Sequence, residues 1–155
     1  MDPALAGGLG AVLVLFAIVW GTDIGAYFVG RKIGGPKLAP RISPGKTRSG
    51  AVGGIAVAAL AAFVVSAITG FGHPAGVFFA AVFVSIVSQL GDLFESFLKR
   101  RFHIKDSGWI IPGHGGVFDR VDGLIPAAIA FLVVAHAAGW LAPQGLLTAA
   151  LGAQG

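Results

Sequence analysis

The chain has 155 residues, 55% hydrophobic and 12% charged, with a net charge of +4 and no cysteine. Soluble domains carry about 25% charged residues, so an ordinary water-soluble globule is excluded and a polytopic α-helical membrane protein is expected. The lack of cysteine also excludes disulfides and thiolate chemistry.

Four apolar stretches are long enough to span a bilayer, which takes about 20 helical residues. The first runs from Ala4 to Gly30, the second from Ala51 to Phe71, the third from Pro74 to Leu98 and the fourth from Val121 to Ala142. They are rich in Ala, Gly, Val and Phe, and the small residues permit close helix contact. The runs are too long, and too poor in period-2 alternation, for membrane strands. The start is not read as a cleaved signal peptide, because no basic residue precedes the first apolar run.

All eleven basic residues fall in two segments. Arg31, Lys32, Lys37, Arg41, Lys46 and Arg48 follow the first span, and Lys99, Arg100, Arg101, Lys105 and Arg120 follow the third. The positive-inside rule makes both segments cytoplasmic loops and puts both termini outside. The expected fold is therefore an all-α transmembrane bundle of about four spans, with two basic loops able to share one site. In the first loop Gly34-Gly35-Pro36 and Ser43-Pro44-Gly45 read as turns.

Several charges do not suit a membrane. Asp23 lies near the cytoplasmic end of the first span, Asp92 and Glu95 near the end of the third, and Asp119 and Asp122 at the start of the fourth. A carboxylate at hydrocarbon depth costs about 2.5–3.5 kcal/mol even on a lenient scale. Ser85, Ser88, Asp92, Glu95 and Lys99 recur at helical spacing and make a polar stripe on the third span. Pairing with neighbouring cations explains Glu95 and Asp122 equally well. Asp92 and Asp119 coincide with glycine-rich sequence, which favours a site.

Arg31, Lys32 and Arg41 read by default as topological or lipid-binding charge. Lys46 differs, since it lies in Ser43-Pro44-Gly45-Lys46-Thr47 and is followed by Gly50, Gly53 and Gly54. Gly45-Lys46-Thr47 matches the end of a P-loop, but the earlier glycine of that motif is replaced by Pro40 and no strand is expected before it. A local turn with open N–H groups, a lysine and a hydroxyl still suits phosphate oxygens. His114 sits among Gly113, Gly115 and Gly116, which let backbone approach a ligand closely. Zinc is not expected, because no cysteine and no second histidine lie at ligand spacing. Cations for phosphates together with carboxylates for Mg²⁺ describe a metal-dependent transferase acting on phosphate groups at the cytoplasmic surface. One of its substrates would be lipid-soluble.

The segment Ser96-x-x-Lys99-Arg100-x₄-Lys105-Asp106-x-Gly108-x₃-Pro112-Gly113-His114-Gly115-Gly116-x-x-Asp119-Arg120-x-Asp122 resembles the signature of phosphatidate cytidylyltransferases. Asp23-x-x-Ala26-Tyr27, Lys37-Leu38-Ala39-Pro40, Ser43-Pro44-x-Lys46-Thr47 and Gly91-Asp92-x-x-Glu95-Ser96 are similar to that family too. The resemblance covers Trp20 to Asp122. It implies transfer of the cytidylyl group of CTP to phosphatidate, giving CDP-diacylglycerol and pyrophosphate in phospholipid synthesis.

It also implies the roles. Asp92 and Asp119 would ligate one Mg²⁺ or two, with Asp23 and Asp122 as further ligands. Lys46, Lys105 and Arg120 would neutralise phosphates, and Ser43, Thr47, His114, Gly115 and Gly116 would shape the nucleotide site. The implied location is the bacterial inner membrane with the site facing the cytoplasm, among membrane lipids and without a nucleic-acid partner. Ser49 departs from the family, which commonly has Glu or Gln there. Relatives of this kind are usually longer, so the chain is expected to be a single membrane-embedded domain, the C-terminal catalytic half. Homodimerisation is one way such a half would complete its bundle. The alternatives are transfer to another lipid such as an isoprenoid phosphate, an ion-coupled transporter using Asp23 and Asp92, and an inactive short form.

Overall fold

The computed structural model describes residues 3–101 and 123–141. Within them the chain forms α1 (Pro3–Ile33), β1 (Lys37–Ala39), β2 (Ser43–Thr47), α2 (Arg48–Thr69), α3 (Pro74–Arg101) and α4 (Leu124–Ala137). It is an all-α membrane bundle with one short hairpin inserted between α1 and α2. Among the described residues three helices are long and apolar enough to cross a membrane: Gly7–Ile33, Arg48–Thr69 and Pro74–Arg101.

α1 continues past the expected boundary at Gly30, because Arg31 and Lys32 are helical and their charge suits a helix C-terminus. It stops at Gly34 and Gly35, with φ of +65° and +98°, a left-handed exit that glycine adopts without strain. β1 and β2 then pair antiparallel, with Lys37 opposite Thr47 and Ala39 opposite Ser43. The hairpin corrects two expectations. Ser43-Pro44-Gly45 is strand, and the turn lies earlier at residues 40–42, closed by Ile42 N–H to Ala39 O at 3.1 Å. Pro40 favours that position by fixing its own φ. A strand therefore does precede α2, but Gly45-Lys46-Thr47 is extended within it instead of looping around a phosphate.

Thr47 caps α2, its Oγ1 accepting from Gly50 N at 3.1 Å. Such a cap contributes about 1 kcal/mol. Gly70, at φ +70°, closes the other end by donating to Ser66 O.

α1 and α2 pack backbone against backbone. A Cβ built on Gly25 would lie 2.7 Å from Gly53 O, and one on Gly54 would lie 2.7 Å from Thr22 O. A Cβ on Gly50 would likewise lie 2.7 Å from Ala26 O, and one on Gly21 would lie 2.9 Å from Ala58 Cα. The buried face of α2 is thus built of glycine, alanine and serine, with Val14, Ile18, Val77 and Val84 of the neighbouring helices filling the core, while many bulky groups face outward: Phe79 is 71% exposed, Ile68 79% and Trp20 62%. A water-soluble protein hides large apolar groups inside; here they face the surroundings, as helices packed in lipid do.

α3 packs against α2 and α4, and the end of the bundle remote from the hairpin closes on aromatic rings. Phe71 lies 6.0 Å from Phe131 and 6.0 Å from Trp140. α4 has 14 residues, about 21 Å at 1.5 Å per residue. The expected fourth span ended at Ala142, but the helix ends at Ala137. Gly139, at φ +71°, turns the chain and Trp140 folds back onto Phe71.

Candidate functional site

The polar stripe of α3 fastens a different element at each of Ser85, Ser88, Gln89 and Asp92, and beyond them pairs within the helix. Ser85, fully buried, bonds Thr22 of α1 at 2.7 Å, and Thr22 donates to Ile18 O at 2.8 Å. Ser88, 2% exposed, donates to Gly123 O at the start of α4 at 3.1 Å. Gln89 donates to Ala51 O of α2 at 3.2 Å. One turn on, Asp92 Oδ2 meets Lys46 Nζ of β2 at 2.9 Å, and Glu95 pairs with Lys99 at 2.7 Å. Burial without these partners would cost several kcal/mol per polar group. Among the described residues every buried side-chain N or O has a partner.

The hairpin explains how Lys46 reaches Asp92 across 46 residues. Alternation along β2 sends Lys46 and Thr47 to opposite sides. Lys46 turns toward α3, while Thr47 turns back onto the first turn of α2. Arg100, at the end of α3, donates through Nε to Ile42 O in the hairpin turn. The hairpin and the last turn of α3 are therefore fastened at one end of the bundle.

Two cavities meet at this point. The first, about 580 Å³, has an apolar wall from Phe16, Val19, Trp20 and Leu124 and a polar end at Ser96, Glu95 and Lys99. Phe16 and Trp20 lie 5.1 Å apart and stiffen the wall. The second, about 570 Å³, is lined by Gly30, Gly34, Gly35 and Gly45 with Arg31, Lys37 and Thr47. Asp23, Lys46 and Asp92 line both cavities. Both cavities mix apolar surface with charge: the first sets its apolar wall against a largely polar floor, and the second adds Tyr27, Leu38 and Ala51 to its glycines and cations. Carboxylates and a lysine stand where the two join.

The structure thus brings together Asp23, Lys46 and Asp92, with Thr47 beside them and Ser43 at the far end of the same strand. Lys105, His114, Gly115, Gly116, Asp119, Arg120 and Asp122 lie outside the described residues. Gly123, the next described residue, sits directly against Asp92: a Cβ there would lie 2.5 Å from Asp92 Oδ1. The sequence reading missed Gln89 and Arg100. Gln89 lies four residues after Ser85 and three before Asp92, so the helical spacing that marked the stripe also marks it. Arg100 binds a backbone carbonyl, and no sequence pattern identifies that partner. Ser49 has a local role, donating to Gly34 O and standing 3.2 Å from Thr47 Oγ1.

A family model described as the cytidylyltransferase family matches residues 3–138. The chain belongs to the cytidylyltransferase family. It is 56% identical over 121 residues to the phosphatidate cytidylyltransferase of Brucella suis biovar 1 (strain 1330), covering 78% of this chain and 45% of that protein. It is 45% identical over 141 residues to the Pseudomonas aeruginosa enzyme of the same name, covering 90% of this chain and 51% of that one. The Bacillus subtilis (strain 168) phosphatidate cytidylyltransferase is 44% identical over 119 residues, with coverage of 76% and 44%. The chain spans about half the length of the curated relatives it matches. The cytidylyltransferase match extends beyond the 96–122 signature to include α1, the hairpin, α2, α3 and α4.

Proposed function

We propose that the chain carries the site at which a phosphatidate cytidylyltransferase joins CTP to phosphatidate. The observation behind this reading is the Lys46–Asp92 pair, which with Asp23 lines both an apolar-walled cavity and a glycine-lined basic one. A reaction between a lipid and a nucleotide needs such a junction, because its substrates arrive from different solvents.

In the reaction an oxygen of the phosphatidate phosphate attacks the α-phosphorus of CTP. The new P–O bond forms as the bond from the α-phosphorus to the bridging oxygen breaks, and pyrophosphate leaves with that electron pair. Phosphoryl-type transfers depend on positioning and charge neutralisation. Lys46 supplies a cation where the two cavities join, and Arg31 and Lys37 line the nucleotide side. The Phe16–Trp20 wall holds acyl chain and keeps water from the reacting phosphate. When a phosphate binds Lys46, that lysine exchanges a carboxylate partner for a phosphate one and releases Asp92 Oδ2.

Mg²⁺ would be held by Asp23 and Asp92, whose hard oxygen donors fit it, since Mg²⁺ commonly takes one or two carboxylates plus substrate phosphates. Among the described residues no group of three or more His, Cys, Asp or Glu is placed to hold a metal ion, and the other expected ligands, Asp119 and Asp122, lie outside the described residues. When bound, Mg²⁺ offsets the charge of the triphosphate.

The reading is tested with purified protein in detergent, labelled CTP, Mg²⁺ and phosphatidate. Labelled CDP-diacylglycerol and pyrophosphate are expected in equal amounts. Product from an isoprenoid phosphate, and none from phosphatidate, would overturn it. We also propose the inner membrane, with the hairpin on the cytoplasmic side. The chain has no cysteine, so single cysteines at Ser43 and at His73 report unambiguously. They should label from opposite sides of sealed vesicles, and labelling from one side would refute the orientation.

A further inference from the structure

We infer that Ser88 and Gly123 are positioning residues that set the Asp92 carboxylate, acting as a seam between α3 and the start of α4. The inference rests on the proposed transfer reaction for its kinetic consequence, and on geometry alone for its structural one. Asp92 has a neighbour at each oxygen: Oδ2 bonds Lys46 at 2.9 Å, and Oδ1 occupies the space a side chain on Gly123 would need. A methyl group on Gly123 would lie 2.5 Å from Asp92 Oδ1 and 3.0 Å from Ser88 Oγ, so the carboxylate must shift to admit it. Ser88, one helical turn before Asp92, donates to Gly123 O at 3.1 Å and draws that backbone onto the carboxylate.

The same carbonyl also accepts Ala127 N–H at 3.2 Å, the opening bond of α4. Removing the Ser88 hydroxyl therefore leaves no carbonyl unpaired, and α4 keeps its first turn. The bond is dispensable for folding the helix. What it determines is how closely the residue following Asp122 approaches Asp92. Thr22 and Ser85 secure α1 to the same stripe one turn earlier, so Ser88 is the tie that belongs to α4.

The test compares Ser88→Ala and Gly123→Ala with wild type in the full chain. A control, Ser66→Ala, removes an equally buried serine bond, to Phe71 O, at the far end of the bundle. Misplacing a reacting group by an ångström costs up to about a hundredfold in rate. Ser88→Ala should lower kcat about tenfold and Gly123→Ala about a hundredfold, each with KM for CTP within about threefold of wild type. Ser66→Ala should keep kcat. Geometry is read independently by zero-length carbodiimide crosslinking, which joins the Lys46 amine to the Asp92 carboxylate as an amide. The mapped Lys46–Asp92 product should form in wild type and in Ser66→Ala and fall several-fold in both seam variants. Unchanged crosslink yield in Ser88→Ala and Gly123→Ala overturns the inference, as does a kcat loss in Ser66→Ala equal to that in Ser88→Ala. If wild type makes no product from CTP and phosphatidate, the proposed reaction fails and the crosslink still decides the seam.

Discussion

Asp92→Asn is expected to lower CDP-diacylglycerol formation about a thousandfold while the protein still inserts and folds, since losing one group that stabilises transition-state charge costs about 10²–10³. Asparagine keeps the volume and loses the charge. The substitution thus removes a hard anionic ligand and leaves Lys46 without its counter-charge at the cavity junction. The side chains of Lys46 and Asp92 are 35% and 23% exposed. Water therefore reaches the abandoned lysine, and the cost to stability stays near the surface-pair range of about 0–1 kcal/mol. It does not approach the several kcal/mol of a broken buried pair. Folding should survive and chemistry should not. Labelled CTP turnover and a melting curve in the same detergent measure the two effects. Activity above a tenth of wild type in Asp92→Asn would remove Asp92 from the mechanism. Lys46→Ala added to Asp92→Asn should cost little further stability, because the pair is already broken, but it should lower turnover again, because Lys46 meets phosphate on its own.

The convergence behind this expectation was legible in the sequence because charge in a greasy chain has few places to go. Ser85, Ser88, Asp92 and Glu95 at helical spacing had to face inward, and all eleven basic residues clustered after two spans. Lys46 was marked by its neighbours Gly45 and Thr47, and it does reach Asp92. The route it takes was not legible. Eight strand residues pair across a three-residue turn, and no apolar alternation marks so short a polar ribbon; Pro44 and Gly45 carry turn chemistry yet lie in a strand. The end of α4 was hidden for a different reason. Apolar sequence runs on past Ala137, and the helix ends where Gly139 turns the chain and Trp140 seats on Phe71. Small residues promised close helix contact, but which glycine meets which backbone atom depends on helix rotation, and composition does not encode rotation.

Gly54→Ala tests that rotation directly and should destabilise the bundle by about 1–3 kcal/mol, the usual cost of overpacking. The added methyl would lie 2.7 Å from Thr22 O and 3.3 Å from Ala26 Cβ. A flexible side chain could swing away, but a backbone carbonyl within a helix cannot move without the whole of α1. Gly8→Ala is the matched control, with nothing within 4 Å of its Cβ. It should be neutral or stabilising by about 0.5–1 kcal/mol, because alanine is the better helix former. The ordering of melting temperatures is therefore Gly8→Ala at or above wild type, and Gly54→Ala below it. Gly54→Leu should fail to assemble. Activity should fall further than stability in Gly54→Ala, because the contact lies at the site. Thr22 precedes Asp23 directly and Ala26 follows it within a turn, and both abut the α2 glycines. Pushing α1 outward there carries Asp23 away from Lys46 and Asp92, opening the junction of the two cavities. A Gly54→Ala protein that melts and turns over like wild type would show that α1 and α2 do not meet at these glycines. The placement of Asp23 beside Asp92 would fall with that contact.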